Sequence, residues 1–456
     1  MLSNIDLRDW GFPGPIPSSI KDLTQLVYLD LSVNQFVGSV PTFAFLKNLT
    51  VINLYSNRLT GRIPDSLWEG LEKLSFLDLR RIHWKGNFHH LCKRNSSYSF
   101  IVSRLGTLIL ASCKLQKFPF LRNLSSLMTL DLSDNQLHGE IPNWIWEVGD
   151  GFLCFLNLSH NQFSHLQEPY EFRDHHYLDQ HSNMLRGEIP VPPRTAVFVD
   201  MSSNKFSFPL SANIGYSLTS AVFFSLAKNK IVGTIPPSLC NATRLQILDL
   251  SNNRLHGRIP SCLFEITIGV LNLRRNNLIG DVPYTFPVGC AAWGIVLPGR
   301  IIVNIASNEF NGVLPENLFK DLKALTADHD GPDYLKFLYI TVEHIYYQDS
   351  VTLTLKRLNV QLGKILNIFT SVNYSNNHFQ GIIPETIGEL KSHHVLNFSH
   401  NALSGHIPGS IGNLEELASL DLSFNNLRGE IPEQLATLAF LSFLNLSYNT
   451  LVRRIL

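Results

Sequence analysis

A net charge is missing. Lys plus Arg and Asp plus Glu stand at 37 each, so no long-range field draws the chain toward nucleic acid, an anionic membrane, or a strongly acidic or basic partner. Charge of either sign is scarce at 16%, which leaves polar work to Asn, Ser and Thr. Long hydrophobic runs are absent too. Stretches such as Ala221-Val-Phe-Phe224 fall far short of the roughly 20 residues that cross a bilayer, so no membrane span is expected. The opening Met1-Leu-Ser-Asn-Ile-Asp-Leu-Arg8 has no basic segment followed by an apolar one, and no signal peptide is read there. The six cysteines (Cys92, Cys113, Cys154, Cys240, Cys262, Cys290) show neither C-x-x-C nor zinc-finger spacing, which excludes a structural metal site of those kinds. Cys240 and Cys262 fall in adjacent repeats and are either a disulfide or two buried thiols. The histidine pairs His89-His90, His175-His176 and His393-His394 have no partner at ligating spacing, so no metal or other cofactor is expected. With no phosphate loop, nucleophile elbow or kinase signature, the chain does not read as an enzyme.

What is present is a repeat of about 24 residues, within the period of leucine-rich repeats. Leu245-Gln-Ile-Leu-Asp-Leu-Ser-Asn-Asn-Arg-Leu-His-Gly-Arg-Ile-Pro260 is its cleanest copy. The alternation Leu248-Asp-Leu250 has the period of a strand, leucines inward and Asp249 outward. An asparagine follows at fixed phase, suited to satisfying backbone groups of neighbouring coils as a ladder. It recurs as Asn34, Asn57, Asn135, Asn161, Asn183, Asn204, Asn229, Asn253, Asn276, Asn308, Asn377, Asn401, Asn425 and Asn449. Glycine then permits a bend, and Ile-Pro predicts an extended segment on the far side. Trp10, Ile82 and Cys113 replace the ladder asparagine, and Gln180 replaces a strand leucine; the ladder is expected to weaken there. The chain divides into five segments: a solenoid over 1–283, an irregular junction over 284–300 with apparent loss of repeats, one repeat over 301–319, an insertion over 320–369, and terminal repeats over 370–456.

The recurring Gly-x-Ile-Pro and the insertion resemble the plant-specific leucine-rich-repeat class and the island of plant receptor-like proteins. The phrases Leu110-Ala-Ser-Cys-Lys-Leu-Gln-Lys-Phe-Pro119, Gly139-Glu-Ile-Pro-Asn-Trp-Ile-Trp146 and Tyr346-Tyr-Gln-Asp-Ser-Val-Thr-Leu-Thr-Leu355 closely resemble the Verticillium-wilt-resistance type. The resemblance implies an α/β repeat solenoid, a superhelix with a concave parallel β-sheet interrupted by the island. It implies a ligand-recognising ectodomain on the extracellular face of the plasma membrane, acting in defence. Its partners would be a protein or peptide ligand, microbial ligands included, and a recruited co-receptor kinase. Family members also carry a signal peptide, paired-cysteine caps and a membrane span, so this chain reads as an ectodomain fragment. A secreted polygalacturonase-inhibitor-like protein and a nonfunctional remnant are the alternatives; the insertion argues against the former.

On the concave face one column differs from generic Asp, Asn and Ser. The position before the first strand leucine holds Phe155, Tyr177, Phe198 and Phe223 in successive coils. At a strand spacing of roughly 4.8 Å these rings are expected to form an outward aromatic stripe, either as a ligand surface or as plain strand propensity, as for Val51, Ile247 and Val270. Arg274-Arg275 and Arg80-Arg81 occupy concave positions as well, as ligand contacts or as solvated charge. By resemblance, co-receptor contact falls on the island and on the coils after it, at His400, Phe424, Phe443 and Tyr448. Sequons stand at Asn48, Asn95, Asn123, Asn157, Asn241, Asn373, Asn397 and Asn445. Four of them, Asn157, Asn373, Asn397 and Asn445, are by-products of the strand phrase.

Overall fold

The computed structural model describes residues 2–61, 71–84, 104–117, 121–122, 124–264, 268–282, 302–316, 319, 339–342, 345–348, 351–355, 358–362 and 370–452. They form two compact units. The first comprises Met1–Gly187 with Phe198–Lys205, the second Glu188–Val197 with Phe206–Leu456.

Each unit is a parallel β-solenoid. In the first, the strands Asn4–Asp6, Tyr28–Asp30, Val51–Asn53, Phe76–Asp78, Thr107–Ile109, Thr129–Asp131, Phe155–Asn157, Tyr177–Asp179 and Phe198–Asp200 each pair in register with the next. In the second, Phe223–Ser225, Ile247–Asp249, Val270–Asn272, Ile302–Asn304, Ser371–Asn373, Val395–Asn397, Ser419–Asp421 and Phe443–Asn445 do the same. The core lies behind these strands. In the cleanest coil Leu245, Leu248, Leu250 and Leu255 are wholly buried, with Ile259 and Leu263 beneath them. No coil covers its own leucines, so burial is supplied by the coils on either side.

The asparagine ladder is built as the spacing predicts. Asn253 donates to Leu226 O of the preceding coil and Leu250 O of its own, at 2.9 and 3.0 Å, and accepts from Ile231 N at 3.0 Å. Cys113 does more than weaken the ladder: its buried thiol donates to Leu79 O at 3.0 Å, taking over the asparagine's contact with the coil before. The residue ahead of each ladder position is left-handed, with φ between 51° and 59°, and is never glycine; Val33, Arg275 and Phe424 are among them.

The far side departs from expectation. In six coils the extended proline is also the cap of a 3-10 turn: Pro17, Pro142, Pro236, Pro384, Pro408 and Pro432 each precede one. Fixed near its preferred φ, proline ends the extended segment and starts the turn instead of prolonging the strand. A second set of short strands, which no sequence pattern marks, comes after the ladder. Pro13–Pro15, Gln35–Gly38, Arg58–Gly61 and His83–Trp84 pair in the first unit, and Gln380–Ile382, Ala402–Gly405, Asn426–Gly429 and Thr450–Leu451 in the second. The repeat glycine closes several of these strands at φ of 80–101°, as in Gly38, Gly61, Gly405 and Gly429, a conformation that a side chain would strain.

Strand Ile302–Asn304 pairs directly with Ser371–Asn373, and the ladder passes between the same coils, from Asn377 to Ile305 O and from Phe310 N to Asn377. Between them lie two antiparallel hairpins, Tyr339–Val342 with Ile345–Gln348 and Val351–Leu355 with Leu358–Leu362. The chain is thus inserted between adjacent coils. The junction at 284–300, the start of the insertion, Cys92 and Cys290 lie outside the described residues.

Candidate functional site

Cys240 and Cys262 are a disulfide, their Cα atoms 5.8 Å apart, which settles one open alternative. Both sit on 3-10 turns of successive coils, Pro237–Asn241 and Ser261–Phe264.

In the first unit the aromatic column is stacked as the strand spacing requires. Phe155 and Tyr177 have centroids 4.1 Å apart, and Tyr177 and Phe198 4.3 Å, with planes 14° and 6° from parallel. The rings are not the exposed stripe expected. Phe155 and Tyr177 are 3% and 4% exposed and Phe198 not at all. Face-to-face packing in adjacent strands hides most of each ring's area. Phe223, in the second unit, is buried as well. Only part of Tyr177 points to a polar partner, its hydroxyl donating to Asp179 at 3.3 Å.

Beside this stack lies a polar cluster drawn from three coils. His181 Nδ1 is 2.6 Å from Asp179 Oδ1, and His181 Nε2 is 2.9 Å from His160 Nε2. Asp200 lies opposite Asp179 in the strand register. One ligating atom from each of Asp179, His181 and Asp200 falls within 4.8 Å of the others. Burial, and after it the Asp179 carboxylate, pushes Asp200 up to about 6. Burial, then His181, holds His160 below the usual imidazole range.

The arginine pairs are not simple solvated charge. Arg80 makes an ion pair with Asp78 at 2.7 Å and lies over the Tyr55 ring at 4.6 Å. Arg274 is buried, and burial lowers its pKa, with the adjacent Arg275 adding to the effect; Arg275 itself is exposed.

In the second unit His400, Phe424 and Tyr448 form a continuous stack with centroids 4.1 and 4.0 Å apart. Each occupies the left-handed position before its ladder asparagine. His400 and Phe424, whose coils are flanked on both sides, are exposed, Phe424 at 36%; Tyr448 belongs to the last described coil. Phe443 belongs to the strand column and is half-buried. Here the structure brings three of the four expected residues together, and on the surface.

Among the sequons, Asn241 is exposed and Asn48 half-exposed. Asn373 and Asn397 are buried on strands, their carbonyls accepting from Ser375 and Ser399, and Asn157 and Asn445 make the same contact from half-buried positions. The strand side chains are committed to the sheet. Asn95 and Asn123 lie outside the described residues.

Leucine-rich-repeat family models match residues 48–69, 126–148, 244–266 and 369–427. Receptor-like protein 18 of Arabidopsis thaliana is 31% identical over 86% of this chain and 48% of its own length. Receptor-like protein 53 of the same plant is 34% identical over 82% of this chain and 40% of its own length. The chain is a leucine-rich-repeat protein related to plant receptor-like proteins. It spans about half the length of the relatives it matches. Among solved structures, the Arabidopsis receptor kinase HAESA in complex with the peptide hormone IDA and the co-receptor SERK1 superposes with a TM-score of 0.73. That match is at 27% identity, over 100% of this chain and 71% of that one. The PEPR1–AtPEP1 complex gives 0.69 at 26% identity, over 99% and 63%.

For a receptor-like solenoid the sequence pattern located the aromatic columns but not the Asp179, His181, Asp200 and His160 cluster. No metal site was expected, because ligating residues were sought at close spacing along the chain. In a stacked fold, neighbours across the face are one repeat apart. Asp179 and Asp200 share a phase, and the signal was legible only by aligning coils. Two of the histidine pairs resolve differently: His175 and His393 take the place of the first leucine of their coils and are wholly buried, with no partner for either ring nitrogen, while His89-His90 lies outside the described residues.

Proposed function

We propose that this chain is the ligand-recognising solenoid of a plant cell-surface receptor-like protein, exposed on the extracellular side. It binds a protein or peptide and hands the event to a recruited co-receptor kinase in defence signalling. It is a binding surface and not a catalyst. No helix among the described residues is long and apolar enough to cross a membrane.

The observation that carries the reading is the exposed stack of His400, Phe424 and Tyr448 in the coils after the insertion. Bulky side chains in left-handed backbone are unfavourable by about 1 kcal/mol or more each, and folding gains little from rings left in water. Grouped exposed aromatics are characteristic of protein interfaces. The relatives are receptor-like proteins, and the HAESA structure contains both a peptide hormone and a co-receptor. Restriction to the Verticillium-wilt-resistance type rests on the sequence phrases alone.

The test measures association of the chain with immobilised SERK1 ectodomain, used as a representative co-receptor, in apoplastic fluid from infected leaves and in buffer. Association that depends on the fluid and falls at least tenfold in the F424A/Y448A variant is expected. Unchanged binding by the variant, or none by either protein, overturns the proposal.

A further inference from the structure

The side chains of Asp179, His181 and Asp200 face one another from two neighbouring coils, and their placement is set by the sheet. Asp179 and Asp200 are register partners, and His181 follows Asp179 by two residues, on the same face. Both carboxylates are buried, at 2% and 6% exposure. Asp179 accepts from the His181 amide and faces its imidazole, and Asp200 accepts from the Ser202 amide. Two carboxylates held together out of water call for a cation between them. The imidazole beside them is a good ligand for one kind of cation in particular.

We propose that Asp179, His181 and Asp200 form a binding site for a divalent first-row transition metal, Zn²⁺ or Mn²⁺, bridging two adjacent coils of the first unit. One oxygen from each carboxylate and His181 Nδ1 are the ligands. The three atoms lie within 4.8 Å of one another; a metal bound at about 2.0–2.2 Å from each draws them to roughly 3.3 Å. The proton shared between His181 Nδ1 and Asp179 at 2.6 Å is released when the metal takes its place. His181 then carries its remaining proton on Nε2 and donates it to His160 Nε2, 2.9 Å away. His160 is therefore a positioning residue that fixes the tautomer and the ring orientation, as outer partners of metal-bound histidines commonly do. The mixed nitrogen and oxygen donor set favours zinc or manganese over calcium. Three protein ligands leave coordination positions open.

The inference does not depend on the receptor reading. The full chain, stripped with EDTA and re-equilibrated, is titrated calorimetrically with ZnCl₂, MnCl₂ and CaCl₂, and with CoCl₂ while recording visible absorption. The expected result is one saturable site for zinc and manganese, weak or absent for calcium, with a cobalt d–d spectrum of a low-coordinate site. D200N and H181Q, which keep side-chain shape and are checked for fold by circular dichroism, are expected to lose that site. H160A is expected to weaken it about tenfold. Retention of the same stoichiometry and spectrum in folded D200N or H181Q overturns the proposal, because the metal then sits on other residues. So does a wild-type titration without a saturable site.

Discussion

At the scale of the residue, the informative positions are those where a repeat rule is broken inside the core. Gln180 replaces a strand leucine and is wholly buried with both amide atoms unpartnered. Tyr374 stands at the same position of its coil with its hydroxyl unpartnered, and burial raises its pKa. His393 and His175 stand where Leu245 stands in the cleanest coil. Burial, reinforced by His394, holds His393 down at about 3, and burial holds His175 at about 4. An unfolded histidine titrates near 6.5. The folded values are depressed, so the stability is fully present above about 6.5 and is lost as pH falls toward the folded values. Between pH 7.5 and 5 each histidine is expected to withdraw roughly 2 kcal/mol. His393→Leu is expected to add about 2 kcal/mol at neutral pH by removing an unsatisfied polar group, and to abolish its share of the acid loss. Urea melts at pH 7.5 and 5 measure both. A variant that keeps the full wild-type pH slope would refute this assignment.

At the scale of the element, one coil is a strand, a left-handed residue, a ladder asparagine, a second short strand and a 3-10 turn. Most of this was legible in the sequence. Leu248-Asp-Leu250 and Asn253 specify strand and ladder because period and hydrogen-bonding chemistry both demand them. The second strands were not legible: His256–Gly257 or Gln35–Gly38 become strands only through pairing with the next coil, and their composition does not mark them. The turns after proline were missed for a similar reason, since Ile-Pro constrains its own backbone and not that of the residues beyond it. Cys240 and Cys262 tie two such turns together across 22 residues of chain. Closing a loop of that length restricts the unfolded chain by about 3 kcal/mol. Reduction, or the C240S/C262S variant, is expected to lower the stability of the second unit by about that amount and to leave the first unit unchanged. Hydrogen exchange followed unit by unit reads the difference, and equal loss in both units would contradict it.

At the scale of the whole molecule, the repeat locates surfaces but does not say which are used. The sequence placed Phe155, Tyr177 and Phe198 correctly in one column, yet their burial depends on ring-to-ring packing that no single coil encodes. The same logic made His400, Phe424 and Tyr448 a surface stack, because they occupy the left-handed position and not the strand. The insertion is separable from this framework. Ile302–Asn304 and Ser371–Asn373 are already neighbours, and Asn377 bonds to Ile305 and Phe310 as though the intervening chain were absent. In the cleanest coils, Phe264 reaches the next strand at Val270 through a link of five residues. Phe319 is the buried residue at the corresponding point before the insertion. Replacing 320–369 with a four-residue Gly/Ser link, which with Thr370 makes the five residues before Ser371, is therefore expected to restore an ordinary coil, with the melting temperature of the second unit within a few degrees of the parent. If the insertion serves recruitment, as the proposed function requires, the same variant loses its fluid-dependent association with the SERK1 ectodomain while remaining folded. A folded deletion variant that still associates would assign recruitment to the aromatic stack alone. An unfolded one would make the insertion part of the core, contrary to the continuity of strand and ladder across it.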